Sequence, residues 1–422
     1  MNENYKAFEK VIGYTDVIAV LNRLCDSMCR PEKYRALGVT TPHGLLLHGV
    51  PGVGKTLMAH CLIEASGRQV FTCRKDLPNG DFIREIKDVF KSAKENAPSI
   101  VFLDDMDKFS NDDRRYRNAE EFVTVQSCVD DCREAEVFVL ATANGLDNIP
   151  SSLLRAGRFD KVIEIKPPEG EDAEKIVAHF LRGKHCSDDI DAAEVAHILV
   201  EKSCADLETV INEAGIYAAY EGRDTIGMDD VVRACMCVLY NAPEVSAAVP
   251  ASQATCIAYH EAGHALLSEL LNPGSVNFVS ISAHTRGTCG LTVTTKPEEY
   301  FFSKRQMENR VIAILGGKAA SEVVFGEVDT GANSDLHRAF DIVERFVDHY
   351  CSYGFDKWEQ SRSSSNDLLS RRENQMAADV QRYYEQAKTL IRENRAKLDA
   401  VAAALVQQKT LLGGQLRRLF AQ

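Results

Sequence analysis

The sequence contains no apolar run as long as the roughly 18 residues that a membrane-spanning helix requires. Its most apolar segments are short, and one of them, residues 311–315, is followed by two glycines. The N-terminal residues also lack the apolar core of a signal peptide. We therefore expect the chain to be cytoplasmic as given. Association with a membrane would need an N-terminal segment that is missing from this sequence.

Paired CxxC units at zinc-finger spacing are also lacking, although the chain has 13 cysteines. We therefore expect the free thiols of a reduced, cytosolic protein. Positive charge is in deficit, because 49 lysines and arginines face 62 aspartates and glutamates and leave a net charge of -13. Non-specific binding to nucleic acid needs clustered basic residues, so we expect no nucleic-acid partner.

The chain of 422 residues exceeds what one hydrophobic core usually serves, so several domains are expected. In the first half, strand-length apolar runs alternate with segments long enough for helices. This alternation predicts an α/β fold with a parallel sheet covered on both faces. The predicted strands are 44–48, 69–73, 99–103, 137–141 and 162–165, and a helix is predicted at 55–65.

The remainder is predicted to be mainly helical. Residues 278–281 and 290–294 alternate like strands, and residues 374–420 read as amphipathic helix with one break at Gly413 and Gly414. The predicted organisation is an α/β subdomain at 1–168, a helical lid at 169–240, a linker at 241–250 and a mainly α-helical domain at 251–422.

Residues 49–56 read GVPGVGKT, which fits the phosphate-binding pattern GxxxxGK[ST] between a predicted strand and a predicted helix. Glycines let backbone N–H groups curl around phosphates, and the helix N-terminus adds its dipole. Lys55 is predicted to reach the β- and γ-phosphates of ATP, and Thr56 to bind Mg²⁺. The alternative is a Gly-rich turn without a ligand. The predicted nucleotide-binding residues are Gly49, Val50, Pro51, Gly52, Val53, Gly54, Lys55, Thr56, Leu57 and Asp104.

Two acidic residues end the predicted strand at 99–103. Asp104 is predicted to hold Mg²⁺ through water, Asp105 to polarise the attacking water, and Asn144 to orient that water. The alternative is an acidic strand end that faces solvent. Arg155 and Arg158 lie three apart, and in a ring of ATPases such arginines can reach the γ-phosphate bound by the neighbouring subunit. The alternative for them is a pair of surface ion pairs.

Residues 260–264 read HEAGH, the HExxH pattern. Positions four apart share a face of a helix, so His260 and His264 can bind one Zn²⁺ with Glu261 beside it as general base. A catalytic zinc needs a third protein ligand. Spacing alone leaves three candidates open, which are His284, Asp335 and His337.

With these motifs the chain resembles, nearly end to end, the FtsH family of ATP-dependent zinc metalloproteases. Residues 8–239 look like its AAA+ ATPase module, and LLRAGRFD at 153–160 closely resembles its LLRPGRFD stretch. Residues 316–327 and TGANSDL at 330–336 are similar to its peptidase domain, which implies that Asp335 is the third zinc ligand. The family's transmembrane helices, which precede the ATPase module, have no counterpart in this sequence.

The resemblance implies a homo-oligomeric ring, a hexamer, that uses ATP and Mg²⁺ to thread unfolded or damaged proteins to a Zn²⁺ peptidase site. It also implies that the strand at 290–294 lies beside the zinc, where it could hold an extended peptide by β-pairing. The alternative is an ordinary edge strand. We therefore expect an ATP-dependent metalloendopeptidase that unfolds, translocates and cleaves proteins. The alternatives are an ATP-dependent unfoldase or assembly factor, and a zinc peptidase regulated by ATP with weak motor activity.

The chain departs from the family pattern at three places. The acidic pair is Asp104 and Asp105 rather than Asp-Glu, which puts a shorter side chain at the position of the base. The pore-loop stretch, LPNG at 77–80, lacks the family's aromatic residue, for which Phe82 is a candidate replacement. The family's Asp-Gly-Phe signalling motif corresponds to Asp-Asp-Cys at 130–132. These departures bear on the rate of hydrolysis, the grip on substrate and the coupling around the ring.

Overall fold

The computed structural model describes residues 3–76, 79–109, 120–242, 250–282, 290–295, 302–327, 331–350 and 366–421. The chain folds into two compact units, Met1–Val231 and Val232–Gln422, and the division falls inside the helix Met228–Tyr240. In the described ranges, no helix combines the length and the apolar character needed to cross a membrane.

The first unit is built on a five-stranded parallel sheet, as predicted. Its strands are β1 Gly44–His48, β2 Gln69–Arg74, β3 Ser99–Asp104, β4 Val137–Ala143 and β5 Lys161–Glu164. They lie in the order β2-β3-β4-β1-β5, and every neighbouring pair is parallel. The two strands β3 and β4 are buried along their whole length, which explains why they read as continuous apolar runs.

Helices precede, separate and follow these strands along the chain, and the last of them continues into the second unit. They are α1 Thr15–Cys29, α2 Pro31–Arg35, α3 Lys55–Ser66, α4 Asn79–Glu95, α5 Glu120–Asp131, α6 Gly170–Leu181, α7 Ala192–Ile198, α8 Cys204–Tyr220 and α9 Met228–Tyr240. Leu46 of β1 joins a core cluster with Phe82 of α4 and Phe122 of α5. Its neighbours Leu45 and Leu47 point to the opposite face, since side chains alternate along a strand, and α3 packs against β1 and β4.

The second unit is mainly helical with a small antiparallel sheet, again as predicted. Its elements are α10 Ala251–Leu271, β6 Val276–Ser280, β7 Leu291–Thr294, α11 Lys304–Ile314, α12 Gly316–Phe325, α13 Asn333–Asp348, α14 Asn366–Glu393, α15 Arg395–Gln408, β8 Thr410–Leu412 and α16 Gly413–Phe420. The strand order is β7-β6-β8, so β7 is an edge strand. Helix α10 lies at the centre of the unit and packs against α12 and α15 through small buried residues such as Ala262.

The C-terminal prediction was wrong in detail. The breaks fall at Asn394 and at β8, and Gly413 begins α16 instead of breaking a helix. A Cβ at Gly413 would collide with the backbone carbonyl of Val276, so glycine is needed there because α16 passes directly against β6. A strand of three residues carries too little periodicity to be recognised in a sequence.

Candidate metal centre and nucleotide site

Three side chains of the second unit converge on one point. His260 and His264 lie one turn apart on α10, and Asp335 lies in the first turn of α13. The two Nε2 atoms are 3.1 Å apart, and Oδ2 of Asp335 lies 3.3 Å from Nε2 of His260 and 3.2 Å from Nε2 of His264. A metal ion needs several His, Cys, Asp or Glu side chains close together. Among the described residues, these three form such a group.

The spacing of the three atoms fits zinc. Tetrahedral Zn²⁺ with bonds of about 2.0–2.1 Å holds its ligand atoms about 3.3 Å apart. Nδ1 of His264 donates a hydrogen bond of 3.1 Å to the carbonyl of Ala313, which leaves its Nε2 lone pair for a metal. The ligand set, two imidazoles and one carboxylate, is one that catalytic zinc uses.

The charges at this point also favour a cation. Burial acts to lower the pKa of His264, but the hydrogen bond and the charge of Asp335 outweigh it and raise the pKa to about 9. Burial acts to raise the pKa of the Asp335 carboxyl. The hydrogen bonds and charges of the two imidazoles outweigh it and hold that pKa well below the usual range. Protons and a metal ion therefore compete for the same three atoms.

Glu261 lies beside the cluster and is held by the edge strand. Its side chain is buried, and Oε2 accepts a hydrogen bond of 2.7 Å from the hydroxyl of Thr292 on β7. A Cβ at Gly290 would collide with the Glu261 side chain, and a Cβ at Gly317 would collide with Nε2 of both histidines. The role of Thr292 could not be predicted, because the alternation at 290–294 indicates only a strand.

The other two candidates for third ligand have different positions. His337 follows Asp335 on α13 but is exposed and is not part of the cluster. His284 lies outside the described residues. Of the described candidates, Asp335 alone joins the two histidines.

In the first unit, the phosphate-binding motif forms the turn between β1 and α3. Three glycines have positive φ angles, 152° at Gly49, 83° at Gly52 and 91° at Gly54, which side chains with a Cβ rarely adopt. A Cβ at Gly49 would also collide with the carbonyl of Ile165. Val53 is fully buried and anchors the turn, whereas the side chains of Val50, Pro51, Thr56 and Leu57 are exposed.

The Lys55 ammonium is enclosed by the turn. It donates hydrogen bonds to the carbonyls of Gly49 at 2.8 Å and Val50 at 3.0 Å, and to the amide oxygen of Asn144 at 3.0 Å. Burial lowers the pKa of Lys55, although three nearby carboxylates, Asp105, Asp107 and Asp104, act to raise it.

The predicted Mg²⁺ ligands meet at the end of β3. Oδ1 of Asp104 accepts hydrogen bonds from the hydroxyls of Thr56 at 3.4 Å and Thr142 at 2.8 Å. Asp105 adopts a left-handed backbone conformation, and its carboxylate accepts from Nζ of Lys108 at 2.7 Å.

The orientation of Asn144 is set by Asp107, which was not among the predicted site residues. The backbone N–H and the amide nitrogen of Asn144 donate to the two carboxylate oxygens of Asp107, at 3.0 and 3.3 Å. The amide oxygen is thereby turned toward Lys55. The spacing of Asp107, three residues after Asp104, was the available signal.

Comparison with known proteins gives a match for each half of the chain. The model of the ATPase family associated with various cellular activities matches residues 45–167, and that of peptidase family M41 matches residues 247–419. The ATP-dependent zinc metalloprotease FtsH of Thermotoga maritima is 31% identical to this chain, over 98% of the chain and 73% of the relative. FtsH 2 of Symbiobacterium thermophilum is also 31% identical, over 99% and 75%. This chain belongs to the FtsH family.

The two arginines of this FtsH-family chain have different surroundings. Arg158 donates two hydrogen bonds to Asp130, from Nε at 3.0 Å and from Nη2 at 2.7 Å. This pairing raises the pKa of Arg158 and lowers that of Asp130. Arg155 is exposed. In the single chain, Arg158 is therefore held by Asp130, and Arg155 faces solvent.

Phe82 is not a replacement for the FtsH pore-loop aromatic residue. It is fully buried and packs edge-on against Phe109, with ring centroids 4.9 Å apart. The first turn of α4 places it in the core under the sheet. Leu77 and Pro78 lie outside the described residues.

Proposed function

We propose that this chain is an ATP-dependent zinc metalloendopeptidase in which His260, His264 and Asp335 hold Zn²⁺ and Glu261 is the general base. The observation that carries the proposal is the triangle of three ligand atoms, 3.1 to 3.3 Å apart, with a buried carboxylate beside it. When bound, Zn²⁺ lowers the pKa of water at its open position and polarises the scissile carbonyl. Because Thr292 engages Oε2 of Glu261, Oε1 is the atom that accepts the proton.

The edge strand β7 is proposed to hold the peptide. Its far edge has no partner strand among the described residues, and Thr292 on the same strand contacts Glu261. An extended peptide that pairs with β7 is recognised through its backbone, which gives cleavage that tolerates many sequences. Unfolded or damaged proteins are the substrates that offer such segments.

The first unit is proposed to drive this reaction with ATP. Lys55 exchanges its loop carbonyls for the β- and γ-phosphates, and Thr56 and Asp104 hold Mg²⁺. Asp105 and Asn144 act on the attacking water. Arg155 and Arg158 act on the nucleotide of the neighbouring subunit, for which Arg158 must leave Asp130.

We further propose that the active form is a hexameric ring. Family members act on proteins and oligomerise, and arginines that serve a neighbour require a closed ring. We retain the proposed boundaries of an AAA+ α/β subdomain at 1–168, a lid at 169–240, a linker at 241–250 and a peptidase domain at 251–422.

The proposal is tested by degradation of a labelled, unfolded protein by the purified, zinc-loaded chain, with ATP and without nucleotide. Glu261→Gln serves as the blank, because it keeps the shape of the base and removes its basicity. We expect cleavage that needs both ATP and Glu261. Cleavage indifferent to ATP would contradict the motor half, and ATP turnover without cleavage would instead support an unfoldase or assembly factor.

One observation favours a second candidate, a zinc peptidase that ATP regulates. The Asp105 carboxylate is bonded to Lys108 and lies 3.5 Å from Arg74, so it is engaged by cations before any water is in place. Steady-state ATP turnover separates the two candidates. Tight nucleotide binding with negligible turnover would support regulation in place of a motor.

A further inference from the structure

Thr142 lies at the point where the two acidic residues of the nucleotide site leave the sheet. It is fully buried near the end of β4. The register pairs Leu103 of β3 with Ala141 of β4, so the next residue on each strand, Asp104 and Thr142, are neighbours. Thr142 belongs neither to the phosphate-binding turn nor to the acidic pair.

A single hydroxyl group serves both acidic residues. Oγ1 of Thr142 donates a hydrogen bond of 2.8 Å to Oδ1 of Asp104, and the same oxygen accepts one of 2.9 Å from the backbone N–H of Asp105. One bond sets the rotamer of the carboxylate that faces Thr56. The other fixes the backbone of the following residue.

That backbone needs fixing. Asp105 has φ 52° and ψ 48°, the left-handed region that is unfavourable for a residue with a Cβ. Such a conformation persists only where the surroundings over-determine it. The Thr142 hydroxyl is the acceptor for the Asp105 N–H, and Lys108 and Arg74 hold the side chain.

We infer that Thr142 is a positioning residue for ATP hydrolysis. It holds Asp104 for Mg²⁺ and Asp105 for the attacking water, and it does so through the two hydrogen bonds of one hydroxyl. The inference rests on the proposed ATPase function. Replacing a purely structural residue would weaken nucleotide binding equally with and without Mg²⁺. Replacing a positioning residue weakens only the additional binding that Mg²⁺ provides.

The test compares Thr142→Val, which keeps the shape and removes the hydroxyl, with Thr142→Ser, which keeps the hydroxyl. Thr124→Val is the matched control, because the Thr124 hydroxyl donates to the Glu120 carbonyl within α5, away from the two acidic residues. For each full-length variant, the affinity for a non-hydrolysable ATP analogue is measured in EDTA and in Mg²⁺, together with kcat and KM for ATP.

We expect Thr142→Val to bind the analogue in EDTA within about twofold of the parent chain, which shows that the first unit is folded. Adding Mg²⁺ should raise the affinity of this variant about tenfold less, or less still, than it does for the parent chain. Its kcat should also fall about tenfold or more. Both losses are those expected when one hydrogen bond to a charged group is removed. Thr142→Ser and Thr124→Val should stay near the parent values.

Three results would overturn the inference. They are a Thr142→Val variant with unchanged kcat and Mg²⁺ gain, a loss in EDTA equal to the loss in Mg²⁺, and a Thr142→Ser variant as impaired as the valine variant. A parent chain with no Mg²⁺-dependent binding and no turnover would instead remove the proposed ATPase function, and this inference with it.

Discussion

The hydroxyl of Thr292 offers a test of the peptidase base at the scale of one residue. Thr292→Val removes the hydrogen bond to Oε2 of Glu261 and leaves the three proposed zinc ligands in place. We expect kcat for peptide cleavage to fall about tenfold, because the carboxylate loses its fixed orientation. Zinc affinity should change by no more than about twofold, since the hydroxyl of Thr292 donates to Glu261, which is not one of the three proposed ligands.

The measurement pairs peptide kinetics with zinc affinity from competition against a chelator. Thr292→Ser, which keeps the hydroxyl, should restore most of kcat. A valine variant with full kcat would show that Glu261 is held by other contacts. A valine variant that loses zinc would show that β7 supports the metal cluster.

At the scale of elements, the close passage of α16 over β6 predicts that Gly413→Ala destabilises the second unit. The new Cβ would meet the Val276 carbonyl, which is backbone and cannot rotate away. We expect a loss of about 1–3 kcal/mol, typical of overpacking. It would be seen as a lower melting temperature of the zinc-loaded chain. Arg418→Ala, at an exposed position of the same helix, is the control, and an equal effect there would contradict the argument.

Elements with a strong pattern could be predicted closely from the sequence. Strands β1, β3 and β4 were placed to within two residues, because buried parallel strands are continuous apolar runs. The short strand β8 and the break at Asn394 could not be predicted from the sequence, because both depend on packing against other elements of the second unit. The HExxH and GxxxxGK[ST] patterns predict site residues that lie close together in the sequence.

The partners of those residues could not be predicted, because they come from other elements. Thr292 reaches Glu261 across 31 positions and Thr142 reaches Asp104 across 38. Nothing in the local sequence of a strand indicates which carboxylate its threonine hydroxyl will contact. Asp335 followed from resemblance and not from spacing, which had left three candidates open.

At the scale of the whole molecule, the two sites belong to separate compact units. The residues proposed to hold zinc lie in Val232–Gln422, and those proposed to bind the nucleotide lie in Met1–Val231. We therefore expect a zinc-selective chelator, in excess Mg²⁺, to abolish peptide cleavage and leave ATP turnover within about twofold. Both activities are measured on one sample, and zinc is then restored. A parallel loss of ATP turnover would show that the motor depends on the metal.

The separation of the zinc ligands along the chain has a consequence of its own. His264 and Asp335 are 71 positions apart, and the intervening segment contains β6, β7, α11 and α12. An ion that binds both ends needs the folded arrangement of this long segment, so its binding free energy adds to the stability of the folded unit. We therefore expect that removal of zinc lowers the stability of the second unit as well as stopping peptide cleavage.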